Sequence, residues 1–460
     1  MRKTIKLKRG LDLKLAGGVT DNSTKTITPE RVAIIPDDFA GFTPKLEVRE
    51  GDTVLEGTPL MHDKTRPEIK LVSPAHGTVE QVVRGARRHI ERVVIKTIKP
   101  ESPCRAEEGC GRPAPFWKNF RFNREDTDSV RHALMDSGLW AMIRRRPFDI
   151  IPQENDTPRD IFVTAFDSAP LAPSLEAQIK TKNNEIEAGI KALSLLTAGH
   201  IYIGVRPGDS LPDYTGAVMV EFAGPHPAGN AGVQAANIAP VNKGDVIWTL
   251  DIVTLARIGS LMLNGSVPMD TVIAVTGPEV EKPTLIETKI GTEISPLLKD
   301  NIKNDGHNHR IISGNVLTGE KVSIDGFIHF PWRQLTVIPE GDDTDEFMGW
   351  ASISPSKMSA NRSFPGHFLF GKMFKPDARL HGGRRAMIMS GQYDKVFPMD
   401  ILPEYLVKAI IARDIDRMEQ LGIYEVAPED FALAEYVDPS KLELQKIVRE
   451  GLDYLQSETI

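Results

Sequence analysis

The stretch that most limits how this chain can fold is "REGDTVLEGTPLMHDKTRPEIKLVSPAHGTVEQVVRG", residues 49–85. Gly-Asp and Glu-Gly turn signals flank Val54 and Leu55. Ser73-Pro74 and Gly77 precede a second apolar run at Val79, Val82 and Val83, and "ERVVIKTI" closes the pattern. Short strands broken by tight turns at this spacing predict a small flattened barrel.

The stretch resembles the hairpin of lipoyl and biotinyl carrier domains, whose modified lysine sits on a short tip ahead of a Ser-Pro. Lys64 follows Asp63, as in such a carrier. Nine positions separate it from Ser73, however, and Pro67 lies between. The longer tip predicts a barrel without a prosthetic group, with Lys64 a solvated side chain.

A length of 460 residues predicts three or four domains. Net charge is -7 and the pI about 5.9, so no basic surplus points to nucleic acid. Two cysteines, Cys104 and Cys110, are too few for an iron–sulfur cluster or a structural zinc. The N-terminus "MRKTIKLKRGLDLKLAGG" has no signal-peptide core; Ile5, Leu7, Leu11, Leu13 and Leu15 alternate as in strands. The most apolar long window, "VIWTLDIVTLARIGSLML", contains Asp251 and Arg257 and falls short of a membrane span.

The pattern divides the chain into residues 1–100, a strand-rich barrel; 101–125, a Pro- and charge-rich linker; 126–264, an α/β unit; 265–335, a small α+β unit; and 336–460, a mostly helical region. In the α/β unit, Asp126 or Thr127 starts a helix that Gly138 ends. "DIFVTAFD" is a strand buried on both faces, and "HIYIGVR" follows after a helical pattern, which implies a parallel sheet. In the tail, Leu402, Leu406, Ile410 and Leu421, then Leu444, Ile447, Val448, Leu452 and Leu455, form amphipathic stripes. Because they lie so near the chain end, the expectation is that the last helix serves assembly and can be removed without unfolding.

Spacing shows no catalytic constellation and no set of metal ligands. His307 and His309 in "DGHNHR" are too few ligands, and "EGDDTDEF" lacks calcium-loop spacing. "LWAMIRRRPFD" reads as a charged helix end, with Arg144, Arg145 and Arg146 available to an anion or a partner. "FAGPHPAGNAG" runs from a strand into a loop with Gly224, Gly229 and Gly232 but matches no nucleotide fingerprint. Its peculiarity is His226 between Pro225 and Pro227. A histidine held there has little conformational freedom and can be presented to a ligand, so Phe222, Gly224, Pro225, His226, Pro227 and Gly229 are the candidate ligand-facing set.

Six ordered blocks, "KRGLDLKLAG", "SGLWAMIRRRPFD", "IFVTAFDSAPLAP", "FAGPHPAGNAG", "VTGPEVEKP" and "RRAMIMSGQYDKVFPMDILP", span the chain. Together they resemble the A subunit of the bacterial Na⁺-translocating NADH:quinone reductase. The resemblance implies an α/β and α+β multidomain fold: a barrel-sandwich hybrid, a Rossmann-like domain similar to the flavoprotein of complex I, a β-grasp (SLBB-like) domain and a helical C-terminal region. It also implies a peripheral, cofactor-free subunit on the cytoplasmic face of the bacterial inner membrane. Its partners would be the other subunits of the complex, the membrane ones above all, and the partners would carry FMN, FAD, riboflavin and the iron–sulfur cluster. This chain would contribute to quinone binding and assembly, as part of a translocase rather than as a catalyst by itself. A quinone head group needs an apolar wall and hydrogen-bond donors, which makes the Phe222, Gly224, Pro225, His226, Pro227 and Gly229 set the expected quinone site. Flavin-binding relatives have a glycine-dense loop where Trp140, Met142 and three arginines stand here. Members of the resembled family often hold two cysteines before the last helix, where Ala434 and Asp438 stand.

Overall fold

The structure, a computed structural model, describes residues 2–98, 123–304, 306–342, 347, 353–360, 364–369 and 371–459. Cys104, Cys110 and nearly all of the 101–125 segment lie outside them. Among the described residues no helix is long and apolar enough to cross a membrane, and no group of three His, Cys, Asp or Glu could hold a metal ion.

The barrel forms as expected from Arg31 onward. Arg31–Ile34, Ile90–Thr97, Gly77–Arg84 and Thr53–Val54 make one sheet; Pro44–Leu46, Pro59–Asp63 and Lys70–Val72 make the other. Val54, Leu60, Ile69, Val79, Val93 and Ile95 fill its interior. Burial alone would push the pKa of Asp63 up. Bonds from Arg66, Thr65 and Thr43 outweigh that and hold it below the ordinary carboxylate range. Its carboxylate accepts from the Thr43, Thr65 and Arg66 amides at 2.9–3.0 Å. The Arg66 guanidinium also donates to Asp63 at 3.0 Å and to the Gly41 carbonyl at 2.6 Å. The tip carrying Lys64 is thus folded back rather than projected. We expect intact-mass measurement of the natively produced protein to show no lipoyl or biotinyl increment; such an increment would mean that a ligase still grips this tip.

Within the first thirty residues, all expected in the barrel, two short strands pair instead with other sheets, and the chain joins the barrel at Pro29 and Glu30, whose carbonyls accept from Thr97. Lys3–Lys6 runs parallel to Val218–Ala223, and Thr24–Thr26 parallel to Thr284–Lys289, as edge strands of two other sheets. Ile5 and Leu7 bury their apolar faces in the cluster around Phe222, and the strap closes the hydrogen-bonding edge of Val218–Ala223.

The α/β sheet has the order Lys3–Lys6, Val218–Ala223, Ile201–Val205, Asp160–Thr164, Ile247–Asp251, Arg144–Arg146. All neighbours are parallel except the last pair. The apolar runs are buried on both faces because helices cover them. Asp126 caps the helix Thr127–Asp136 by accepting from the Ser129 amide at 2.9 Å. Asp251 caps Ile252–Asn264 in the same way through Thr254. This helix crosses Asn183–Ser194 closely: a Cβ on Gly259 would strike the Glu185 carbonyl, and one on Gly189 the Leu255 carbonyl. Arg257 survives in so apolar a helix because it donates to the Pro268 and Asp270 carbonyls at 3.1 and 2.9 Å.

Two expectations need correction here. "LWAMIRRRPFD" is not a helix end: a single 3-10 turn, Trp140–Met142, leads into the strand Arg144–Arg146, antiparallel to Ile247–Asp251. Trp140 anchors it, packed edge-on to Trp248 at 5.0 Å and donating to the Pro152 carbonyl at 3.0 Å. The tail stripes are also consumed internally. Leu406, Val407, Val448, Leu452 and Leu455 pack with Phe397, Phe431, Phe222 and Val233, so removing the last helix would open the core. Leu402, by contrast, points outward.

The third sheet has the order Glu320–Val322, His309–Ser313, Gln334–Pro339, Asp270–Thr276, Thr284–Lys289, Thr24–Thr26. It runs past the expected end at 335 to Pro339. Regular helices of the tail begin only at Tyr393; among the described residues from 340 to 392 there is one 3-10 turn, Pro365–Phe368.

Candidate functional site

The loop leaving Val218–Ala223 brings the six residues singled out in the sequence together, but turned inward. Phe222 is fully buried. Gly224, at φ 141°, lies so close to Leu7 that a side chain would collide with it. The Gly224 carbonyl accepts from Arg206 at 2.7 Å, and the Arg206 guanidinium lies 4.6 Å from the Phe166 ring centroid. The His226 amide donates to Asp12 at 2.8 Å, and its carbonyl accepts from the Leu11 amide at 2.9 Å. The N-terminal strap therefore lies across the loop.

The His226 ring is 4% exposed. Its Nδ1 is 3.0 Å from the Ser168 hydroxyl, which accepts from the Gly229 amide at 2.8 Å. Either the hydroxyl or Nδ1–H can be the donor in that contact, depending on the tautomer, and the other ring nitrogen, Nε2, is buried with no partner among the described residues. Burial, and then the nearby Arg206 charge, push the His226 pKa down to about 4. The loop is a closed joint between the α/β sheet and the N-terminal strap.

The three arginines are likewise engaged within the chain. Arg144 donates to the Asp38 carbonyl at 2.6 Å, and Arg145 pairs with Asp156 at 2.9 Å. Arg146 is 1% exposed. Its guanidinium donates to Asp430 at 2.7 Å, to the Glu425 carbonyl at 2.8 Å and to Glu429 at 3.1 Å. Burial opposes its charge, but Asp430 and Glu429 outweigh that and raise its pKa. Gly232 makes room for it, since a Cβ there would overlap the guanidinium.

The open space lies elsewhere. A cleft of about 1180 Å³ separates the third sheet from the C-terminal helices. Leu15, Ile312, Ile338, Phe364, Val437 and Leu442 give it apolar walls. Tyr436 projects from Ala432–Val437, and no group among the described residues takes its hydroxyl. Burial pushes its pKa up to about 12, so it stays a neutral donor. Arg385 stands at the rim, exposed and without a carboxylate partner among the described residues. Asp377, also on the wall, is held well below the carboxylate range: bonds from His381 and Arg379 outweigh the opposing effect of burial. Asp438 accepts from the Ser440 and Leu442 amides at 3.0 and 2.8 Å, so this acid folds the turn. Sequence reasoning missed the cleft because no local pattern marks residues contributed by four separate stretches.

Three family profiles match in order: the NqrA N-terminal barrel-sandwich hybrid domain over residues 5–98, the NqrA second alpha/beta domain over 125–267 and the NQRA C-terminal domain over 272–323. Curated relatives named as the A subunit of Na(+)-translocating NADH-quinone reductase are similar over their entire length. That of Vibrio anguillarum is 37% identical over 461 residues, that of Pasteurella multocida 35% over 463, and that of Yersinia pestis 34% over 457. Each alignment covers 99% of this chain and 100% of the relative. Among solved structures, an NAD+-reducing [NiFe]-hydrogenase in the H2-reduced state matches 73% of this chain and 61% of its own. At 12% identity and a TM-score of 0.35, that likeness is too weak to carry an argument. The full-length relatives and the three ordered profiles make this chain a member of the NqrA family, the A subunits of Na⁺-translocating NADH-quinone reductases.

Proposed function

We propose that this subunit binds quinone in the cleft between the third sheet and the C-terminal helices and holds no flavin, NADH or iron–sulfur cluster itself. The observation that carries the reading is the cleft: about 1180 Å³ of apolar-walled space with the unpartnered Tyr436 hydroxyl on its wall. That is ample for a quinone head group and part of its tail. Tyr436 donates to one carbonyl oxygen, and Arg385 at the rim can reach the other. The loop at His226, first in line from sequence, has its donors turned into the protein, and we assign it to joining domains.

Family membership supports the rest of the reading. The complex oxidises NADH, reduces quinone and moves Na⁺. Other subunits carry FMN, FAD, riboflavin and the iron–sulfur cluster, and this chain sits peripherally at the cytoplasmic face of the bacterial inner membrane. We read the α/β domain as Rossmann-like, in keeping with the order of its four central parallel strands, and the third sheet as the β-grasp (SLBB-like) unit. In Rossmann-like sheets ligands bind outside the carboxyl ends of the strands at the point where their order reverses. Here Arg333 fills that position, donating to both oxygens of Asp251 at 3.0 Å. This supports the absence of a dinucleotide site.

Tyr436→Phe removes one neutral hydrogen bond, worth about 0.5–1.5 kcal/mol. We expect a several-fold, at most about tenfold, loss of affinity for a short-chain quinone. Fluorescence titration of the full chain checks this, and unchanged affinity would move the quinone out of the cleft.

A further inference from the structure

We propose that the face running from the mouth of the cleft along the helix Pro403–Ala412 seats on an anionic lipid surface. Of the fifteen large apolar side chains exposed among the described residues, eleven fall between Phe347 and Ile411. Among the described residues of the same stretch, 347–413, nine are Lys or Arg against four Asp and Glu, in a chain whose net charge is -7. Apolar exposure and positive charge are therefore concentrated in one part of an acidic molecule.

These residues follow one another along the chain from the cleft to that helix. Phe347, Ile353 and Leu380 line the cleft and are exposed. Beyond them the chain passes Arg384 and Arg385 to Ile388 and Met389. The Ser390 and Gly391 amides then donate to the Glu404 carboxylate at 3.0 and 2.7 Å, which pins this segment to the start of Pro403–Ala412. That helix turns Leu406, Val407 and Ile410 into the core and leaves Leu402, Tyr405, Lys408 and Ile411 outside. Leu402, Tyr405 and Ile411 are each more than half exposed. Its one acid, Glu404, is buried, so the outer face carries no negative charge.

Composition selects the occupant. Protein interfaces keep lysine out of their centres, whereas here Lys357, Lys372, Lys395 and Lys408 are interspersed with the apolar residues. Aliphatic and tyrosine side chains set among lysine and arginine are the mark of a surface lying in the headgroup layer of an anionic membrane. The seating would also turn the cleft mouth toward the phase in which long-chain quinones dissolve.

Flotation of the full chain with vesicles tests this. We expect it to rise with phosphatidylglycerol vesicles but not with phosphatidylcholine vesicles, and to be released by salt. Leu402→Ser, Tyr405→Ser and Ile411→Ser together should weaken binding about tenfold or more, and Lys408→Glu on the order of tenfold. All four positions are exposed, so circular dichroism should show an intact fold. No flotation on phosphatidylglycerol, equal flotation on both lipids, or a triple variant that floats like the parent would overturn the proposal. So would a parent chain that ignores vesicles while the triple variant is lost from the assembled complex, since a protein then covers this face. The triple variant should keep its quinone affinity in solution. A parent chain that floats but binds no quinone would refute the cleft assignment and leave the lipid face standing.

Discussion

Replacing Arg146 by Met is expected to destabilise the protein by about 3–5 kcal/mol. The guanidinium is buried between the α/β sheet and the C-terminal helices, where it donates to Asp430, Glu429 and the Glu425 carbonyl. Met fills much of the volume but leaves Asp430 buried without its cation, and an uncompensated buried charge costs far more than the net worth of the pair. Glu429, nearly half exposed, should contribute little. Urea denaturation followed by circular dichroism gives the loss. Adding Asp430→Leu to Arg146→Met should recover a good part of it. A loss under about 1 kcal/mol in the single variant, the scale of an exposed pair, would show that the joint does not depend on this contact.

The second large effect is a dependence on pH. Inside the fold His226 has a pKa of about 4, against 6.5 for the free side chain. Between those values the unfolded chain binds a proton that the folded chain refuses, so acid favours unfolding. The stability is fully present above pH 6.5 and is lost as pH falls toward 4. A shift of this size corresponds to about 3 kcal/mol. His226→Asn removes the titrating group; its stability curve should run flatter than the parent's between pH 6.5 and 4, though lower at neutral pH where the Ser168 contact is lost. Parallel slopes for the two proteins would place the acid sensitivity elsewhere.

How much of this is legible in the sequence depends on how local the physics is. The helix Thr127–Asp136 can be read from its cap at Asp126 and its stop at Gly138, because capping is decided within a few residues. Asp160–Thr164 and Ile247–Asp251 can be read because strands buried on both faces are apolar throughout. Arg144–Arg146 reads wrongly as a helix end: three arginines suit solvent by themselves, and it takes the Asp430 carboxylate, distant in sequence, to make Arg146 an interior residue, while Arg145 pairs with Asp156 at the half-buried edge. Lys3–Lys6 and Thr24–Thr26 have the strand pattern, but nothing in them names the sheet they join. The cleft is the extreme case. Leu15, Ile338, Asp377 and Tyr436 come from four segments whose meeting is set by domain packing alone. His226 stands out in the sequence for its restraint between two prolines, yet that restraint points the ring inward.

The central claim is that this chain binds quinone without carrying a redox cofactor. Titration of the purified full-length chain with a short-chain quinone, with its visible absorbance spectrum recorded on the same sample, tests it most directly. The account predicts saturable binding at one site per chain in a colourless protein, weakened several-fold by Tyr436→Phe. Absence of saturable binding, or a bound flavin or cluster spectrum, would contradict it.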